Sequence, residues 1–207
     1  MDITSVVFLV IVIIFSAIIH EVMHGYAADK LGDPTARYAG RLTLNPIPHI
    51  DPIGSVLLPL VLVLSGSPIF FGWAKPVPYN PYNLRPGRFS EAIVAGAGPA
   101  SNAVIAILFG IVIRLGVSPS LDTFFFLIVV VNVMLCLFNL IPIPPLDGSK
   151  VLEAFLPRSL QYGYAKWRHG MERNPFIGMA LVVIVVLLLG GAFGNLIYSI
   201  ASALAGM

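Results

Sequence analysis

The sequence predicts an all-α polytopic membrane protein with about four to six transmembrane helices and a small re-entrant element between the first two core helices. Three observations carry this. Of 207 residues, 57% are hydrophobic and only 11% are charged, with a mean hydropathy of +0.91, whereas a soluble domain carries about 25% charged residues. Several apolar runs reach the roughly 20 residues that span a hydrocarbon core. The few lysines and arginines gather between those runs rather than within them. The chain reads as a single domain, 1–207, with a core over 1–155 and an interfacial segment plus C-terminal membrane helix over 156–207. Nothing in a net charge of +2 calls for a nucleic-acid partner; the lipid bilayer is the first partner expected.

The first run, residues 3–28, carries no charge before His20. It lacks a basic n-region and continues into polar residues instead of a small-residue cleavage site, so it reads as a permanent helix rather than a signal peptide. The second run is 91–115, rich in Gly and Ala. The third is 121–141, and the fourth is 176–205, interrupted by Gly190-Gly191. A shorter stretch, 53–71, contains Pro59 and the breaker Ser65-Gly66-Ser67-Pro68, and either spans or re-enters. The lone Cys136, inside an apolar run, reads as a small core residue without a disulfide partner.

Cytoplasmic loops hold an excess of Lys and Arg. Lys30, Arg37 and Arg41 follow the first run; Lys75, Arg85 and Arg88 precede the second; Lys150, Arg158, Lys166, Arg168 and Arg173 follow the third. Only Arg114 lies at the far end of the second run. These clusters share one side only if 53–71 dips in and returns. The expectation is an outside N-terminus, a first helix running inward, and a re-entrant hairpin or pair of short crossings. The aromatic and basic segment 156–174 suits a cytoplasmic membrane interface.

The chemistry-bearing motif is His20-Glu21-Val22-Met23-His24. On a helix, residues i and i+4 share a face, so His20 and His24 can reach one zinc ion, and the adjacent Glu21 can take a proton from water. A hydrolytic zinc site keeps three protein ligands and an open position. Glu91, Glu172, His169, His49 and Asp51 are candidates for the third ligand. Asp147 is the better choice. It follows Pro142, Pro144 and Pro145, which cannot continue a helix and predict an extended segment, with Gly148 permitting a tight turn. By the charge argument it lies on the same side as His24, and an aspartate there needs a partner. The small residues from Ala95 to Ser101 let helices approach closely, with Gly96 and Gly98 as packing glycines. Asn102 and Asn139 are polar groups in apolar surroundings, each able to hydrogen-bond a substrate carbonyl or a developing oxyanion or to serve helix packing and capping.

With His20-Glu21-Val22-Met23-His24, Gly98-Pro99-Ala100-Ser101-Asn102 and Asn139 through Asp147-Gly148 in that order, the chain resembles the site-2 protease family of intramembrane zinc metalloproteases. The resemblance implies one Zn2+ per chain on His20, His24 and Asp147, Glu21 as general base, and Asn102 and Asn139 assisting near the scissile carbonyl. It implies transmembrane protein substrates cut in or near their spans. It further implies a membrane-associated β element, for which 71–79 is the matching stretch, whose edge would pair with an unwound substrate. The chain looks like a compact member without PDZ or CBS domain. The expected location is a prokaryotic plasma membrane with the site towards the cytoplasm. Competing classes are a membrane metal transporter or sensor, a non-catalytic scaffold for membrane helices, and a prenyl-protein-processing type of protease using Glu153 as third ligand.

Overall fold

The computed structural model describes residues 3–57, 61, 64 and 74–207. Its helices are α1 (Ile3–Lys30), the short α2 (Thr35–Tyr38), α3 (Ser90–Arg114), α4 (Asp122–Asn139), α5 (Asp147–Phe155), α6 (Arg158–Arg173) and α7 (Pro175–Ala205). Among the described residues there is no strand. Ile3–Lys30, Ser90–Arg114 and Pro119–Asn139 are each long and apolar enough to cross a membrane. The 31-residue α7 coincides with the fourth expected run. At 1.5 Å per residue, the 28 residues of α1 extend about 42 Å, beyond a hydrocarbon core of about 30 Å.

Loop contacts fix which helix ends share a side. The N–H of Arg85 donates to Leu31 O at 2.7 Å. Asp33, fully buried, accepts from Asn80 N (2.6 Å) and Asn83 Nδ2 (2.9 Å). The end of α1 and the approach to α3 therefore lie together at one end of the bundle. Arg88 joins the same end to the close of α5 through Ala154 O and Leu156 O. At the opposite end Arg114 donates to Leu204 O and Ala203 O, capping carbonyls that the last turn of α7 leaves without helical partners. So α1 runs opposite to α3, and α3 and α7 finish together. The three basic clusters fall at one end, as the charge pattern requires.

Of the expected re-entrant element, Pro52–Leu57 is a π-helical turn. The Asp51 carboxylate accepts the N–H groups of Ile53 (3.0 Å) and Gly54 (2.6 Å) at its start. Most of the remainder of 53–71 lies outside the described residues, as do 71–73 of the expected β element. Residues 74–79 form neither helix nor strand.

Helix α3 is central, packing on α1, α4, α5 and α7. Ala106, Val129, Val133 and Ala201 lie at the centre of the α3, α4 and α7 contact, and a Cβ on Gly110 would come within 2.8 Å of Leu204 O. Small residues permit such approach where lipid provides no hydrophobic drive between helices. Outside the bundle, Arg168 is buried and ion-paired with Glu153 (2.7 Å), Glu172 (3.0 Å) and Glu91 (3.3 Å), tying α6 to α5 and α3. Burial would lower its pKa, but the three glutamates outweigh that and hold the guanidinium above its ordinary value.

Candidate metal centre

His20 and His24 both lie on the buried face of α1. His20 Nε2 stands 3.1 Å from Asp147 Oδ2, and His24 Nε2 stands 3.2 Å from the same oxygen. Asp147 is the first residue of α5, where a carboxylate is favoured by the helix dipole. Among the described residues, His20, His24 and Asp147 are the group of His, Cys, Asp and Glu able to hold a metal, with ligand atoms within 4.8 Å of one another.

The donor set fits zinc. Two imidazole nitrogens and a carboxylate oxygen are ordinary zinc ligands, and bonds of about 2.1 Å in a tetrahedron put donor atoms about 3.4 Å apart. Both histidines are held in the required tautomer. His24 Nδ1 lies 2.7 Å from Val94 O, and a carbonyl only accepts, so the ring proton is on Nδ1. His20 Nδ1 lies 2.7 Å from Asn102 Oδ1, with the same consequence. Each Nε2 lone pair is left facing Asp147. Outer hydrogen bonds of this kind orient metal-binding histidines.

These residues line a cavity of about 190 Å³ together with Glu21, Val77 and Lys150. Glu21 Oε2 accepts the backbone N–H of Val77 at 2.8 Å. Pro76 and Pro78 carry no N–H, and the N–H of Lys75 donates to His49 O at 2.9 Å. No backbone donor from Lys75 to Pro78 is therefore free. Over the described part of the expected 71–79 edge, the backbone donors from Lys75 to Pro78 are thus absent or engaged with Glu21 and His49.

The other sequence-predicted residues are placed as follows. Asn102 lies behind His20, fully buried. Its oxygen is engaged by His20, and its Nδ2 donates to Asn132 Oδ1 (2.9 Å) and Ser16 O (3.3 Å), which leaves no group to face a substrate carbonyl. Asn139 lines the cavity, while its Nδ2 turns back to Leu135 O at 3.0 Å. Glu91, Glu153 and Glu172 surround Arg168 and are not gathered with the histidines. His49 Nε2 bonds Thr43 O at 2.9 Å and, like Asp51, serves its own loop. His169 Nδ1 bonds Ala165 O at 2.6 Å on the exposed side of α6.

Residues 116–190 match peptidase family M50, a span that contains Asp147. YwhC of Bacillus subtilis, named as a zinc metalloprotease, is 40% identical over 160 residues, which cover 72% of this chain and 69% of the relative. The chain belongs to peptidase family M50. Rip2 of Mycolicibacterium smegmatis, also named as a zinc metalloprotease, is 30% identical over 185 residues, covering 88% of this chain and 66% of the relative. Rip2 of Mycobacterium tuberculosis is 28% identical over 190 residues, covering 88% and 68%. No solved structure matches the chain.

Two glycines have a sharper role in this M50 chain than the sequence suggests. A Cβ on Gly98 would stand 2.5 Å from His24 Nε2 and 2.6 Å from His20 Nε2. Gly98 thus keeps open the space that both metal-facing nitrogens share. Gly148 is not in a tight turn but in the first turn of α5, where its Cβ would stand 2.2 Å from Leu140 O. Its missing side chain lets Asp147 close on the end of α4. The preceding segment is likewise turned rather than extended, with Leu146 N donating to Ile143 O at 2.9 Å. Lys150, one turn after Asp147, projects to the cavity with its ammonium 5.2 Å from the centre of the Tyr79 ring. Its place three residues after Asp147, nearly one helical turn, is the sequence signal for it.

Proposed function

We propose that this M50 chain is a zinc-dependent intramembrane endopeptidase that hydrolyses peptide bonds in or near transmembrane segments of other membrane proteins. The observation that carries the reading is the meeting of His20 and His24, within a membrane-length helix, with Asp147, a few residues beyond the end of another, beside Glu21. His20, His24 and Asp147 would hold the ion. Zinc bound there supplies polarisation of a carbonyl and a more acidic water. Glu21 accepts the proton of the attacking water and returns it to the leaving amine. Its carboxylate is held in place by the Val77 N–H. Asn102 and Val94 O keep the two imidazoles in the ligating tautomer. Asn139 and Lys150 line the same cavity and can donate to a carbonyl oxygen as it gains charge. The basic clusters at this end of the bundle support a site facing the cytoplasm, and the membrane in this reading is a prokaryotic plasma membrane.

The test uses full-length protein in detergent or proteoliposomes with a helical membrane substrate. Glu21→Gln is expected to retain zinc and lose at least about 100-fold in cleavage, the scale of a lost general base. His20→Ala and Asp147→Ala are expected to lose zinc as well. Full proteolysis by Glu21→Gln, or wild-type zinc content in both ligand variants, would reject the assignment.

A further inference from the structure

Behind the metal-facing residues, three helices share a buried polar chain with no water-facing end. Asn132 of α4 is 0% exposed, as is Asn102, and Ser16 of α1 is 4% exposed. Asn132 Oδ1 accepts from Asn102 Nδ2 at 2.9 Å. Asn132 Nδ2 donates to Ser16 Oγ at 3.0 Å and to Ile128 O at 2.9 Å. Asn102 Oδ1 then meets His20 Nδ1 at 2.7 Å.

An asparagine amide has two ends of opposite character, one accepting and one donating. Which end of Asn102 faces His20 decides the imidazole tautomer. If the oxygen faces it, Nδ1 carries the proton and Nε2 has a lone pair for a metal. With the amide reversed, the NH2 group would face Nδ1, the proton would move to Nε2, and the metal-facing nitrogen would be blocked. Ile128 O is a backbone carbonyl and accepts only, so it fixes the Asn132 NH2 towards itself and the Asn132 oxygen towards Asn102. That oxygen in turn requires the Asn102 NH2. Ser16 O, at the longer distance of 3.3 Å, asks for the same orientation.

We infer that Asn132 is a positioning residue for the metal centre: through Asn102 it sets the tautomer of His20 and so leaves Nε2 free to bind zinc. The inference rests on His20 being a zinc ligand, as proposed above. Asn132 touches neither substrate nor metal. Its role is to transmit the polarity of a main-chain carbonyl on α4 to an imidazole on α1, across the side chain of α3. In hydrocarbon no water can replace the missing partner, so the choice of orientation depends on this chain of donors.

The decisive variant is Asn132→Leu, close in size and without an acceptor. In zinc-free Asp147→Ala protein, which lacks the carboxylate that would otherwise draw the proton to Nε2 from 3.1 Å, with 15N-labelled histidine and at a pH where imidazoles are neutral, His20 is expected to be protonated on Nδ1; zinc affinities are measured with Asp147 in place. The chain has only four histidines, so His20→Ala assigns the signal. Asn132→Leu is expected to give the Nε2–H form or a mixture, and to weaken zinc about tenfold or more in chelator competition, the scale on which outer hydrogen bonds tune metal sites. An unchanged tautomer with zinc affinity within about threefold of wild type would overturn the inference, even if the variant melts earlier, because that is what a purely helix-packing residue does. Asn132→Asp, neutral when buried at this depth, keeps the shape, an oxygen that accepts from Asn102 and a hydroxyl that can donate to Ile128 O, and is expected to retain both tautomer and affinity. Should the leucine variant fail to fold, loss of zinc affinity in Asn132→Asp overturns the inference and its retention supports it. Failure of the underlying reading is separate: it would appear as zinc retained in His20→Ala.

Discussion

Replacing Gly98 by alanine adds one methyl group and tests the metal centre without touching a ligand. The new Cβ would lie 2.5 Å from His24 Nε2 and 2.6 Å from His20 Nε2, where ordinary contact begins at 3.4 Å. Each ring would have to retreat by about 0.8–0.9 Å to remove the overlap. Zinc sites tolerate about 0.2 Å in ligand distance, so at least one imidazole leaves the coordination sphere. The flanking structure gives little room: both Nδ1 atoms are tied at 2.7 Å, to Asn102 and to Val94 O. The expected result is a loss of zinc affinity of about 100-fold or more, equivalent to about 2.8 kcal/mol. Gly96→Ala is the control, since a Cβ there meets nothing within 4 Å. Alanine favours a helix by up to about 1 kcal/mol, so Gly96→Ala should melt no lower than wild type, whereas in Gly98→Ala overpacking of about 1–3 kcal/mol opposes that gain and a somewhat lower melting temperature is expected. Zinc competition against a chromophoric chelator, with thermal melting of the same samples, reads the two effects separately. Zinc binding by Gly98→Ala within threefold of wild type would refute the placement of the ion between the two histidines.

Two further outcomes concern the frame around the site. Arg168→Met leaves Glu91, Glu153 and Glu172 facing one another without their counter-charge; because the glutamates keep some contact with water, the cost is put at about 2–3 kcal/mol, below the full penalty for breaking a buried pair, and it should appear as a lower melting temperature that added salt partly restores. Asp33 is held below its ordinary pKa: burial opposes this, but hydrogen bonds from Thr35, Asn80 and Asn83 prevail. Its contribution is therefore present above the unfolded carboxylate value of about 3.9 and lost as pH falls through the lower folded value. An acid melting series should show a steeper loss of stability below about pH 4 in wild type than in Asp33→Asn, and identical slopes would remove Asp33 as the cause.

How much of this was legible in the sequence depends on whether a residue acts through period or through contact. His20 and His24 are one helical turn apart, so their shared face follows from spacing alone. Asp147 was reachable because prolines end α4's continuation and the charge pattern returns the chain to the side of His24. The return of the 31–89 segment to one end was likewise written in Lys30, Arg37 and Arg41 on one side of it and Lys75, Arg85 and Arg88 on the other. Contact-dependent roles were not legible. Gly98 reads as a packing glycine until the histidine nitrogens are seen against it. Asn102 faces an imidazole rather than the cavity because α1 and α3 approach closely enough to bury it, which no local pattern states. Asn132 had a signal that spacing could have exposed: it precedes Asn139 by seven residues, two turns of one helix, so it points to the same side.

The same contacts explain why a metal centre can exist at this depth at all. Each ligand is oriented by a group on a different helix: His20 of α1 by Asn102 of α3 and, behind it, Asn132 of α4; His24 of α1 by Val94 O of α3; Asp147 of α5 by the histidines and by the end of α4 at Gly148. An isolated α1 in lipid would expose His20, Glu21 and His24 with no partner, at a cost that grows with depth. Assembly removes that cost only when α3 arrives with its small-residue face and α5 closes on α4. The ligating geometry is therefore a property of the packed bundle and not of the motif. A helix carrying His20-Glu21-Val22-Met23-His24 alone holds the right atoms with neither tautomer fixed and no third ligand in reach.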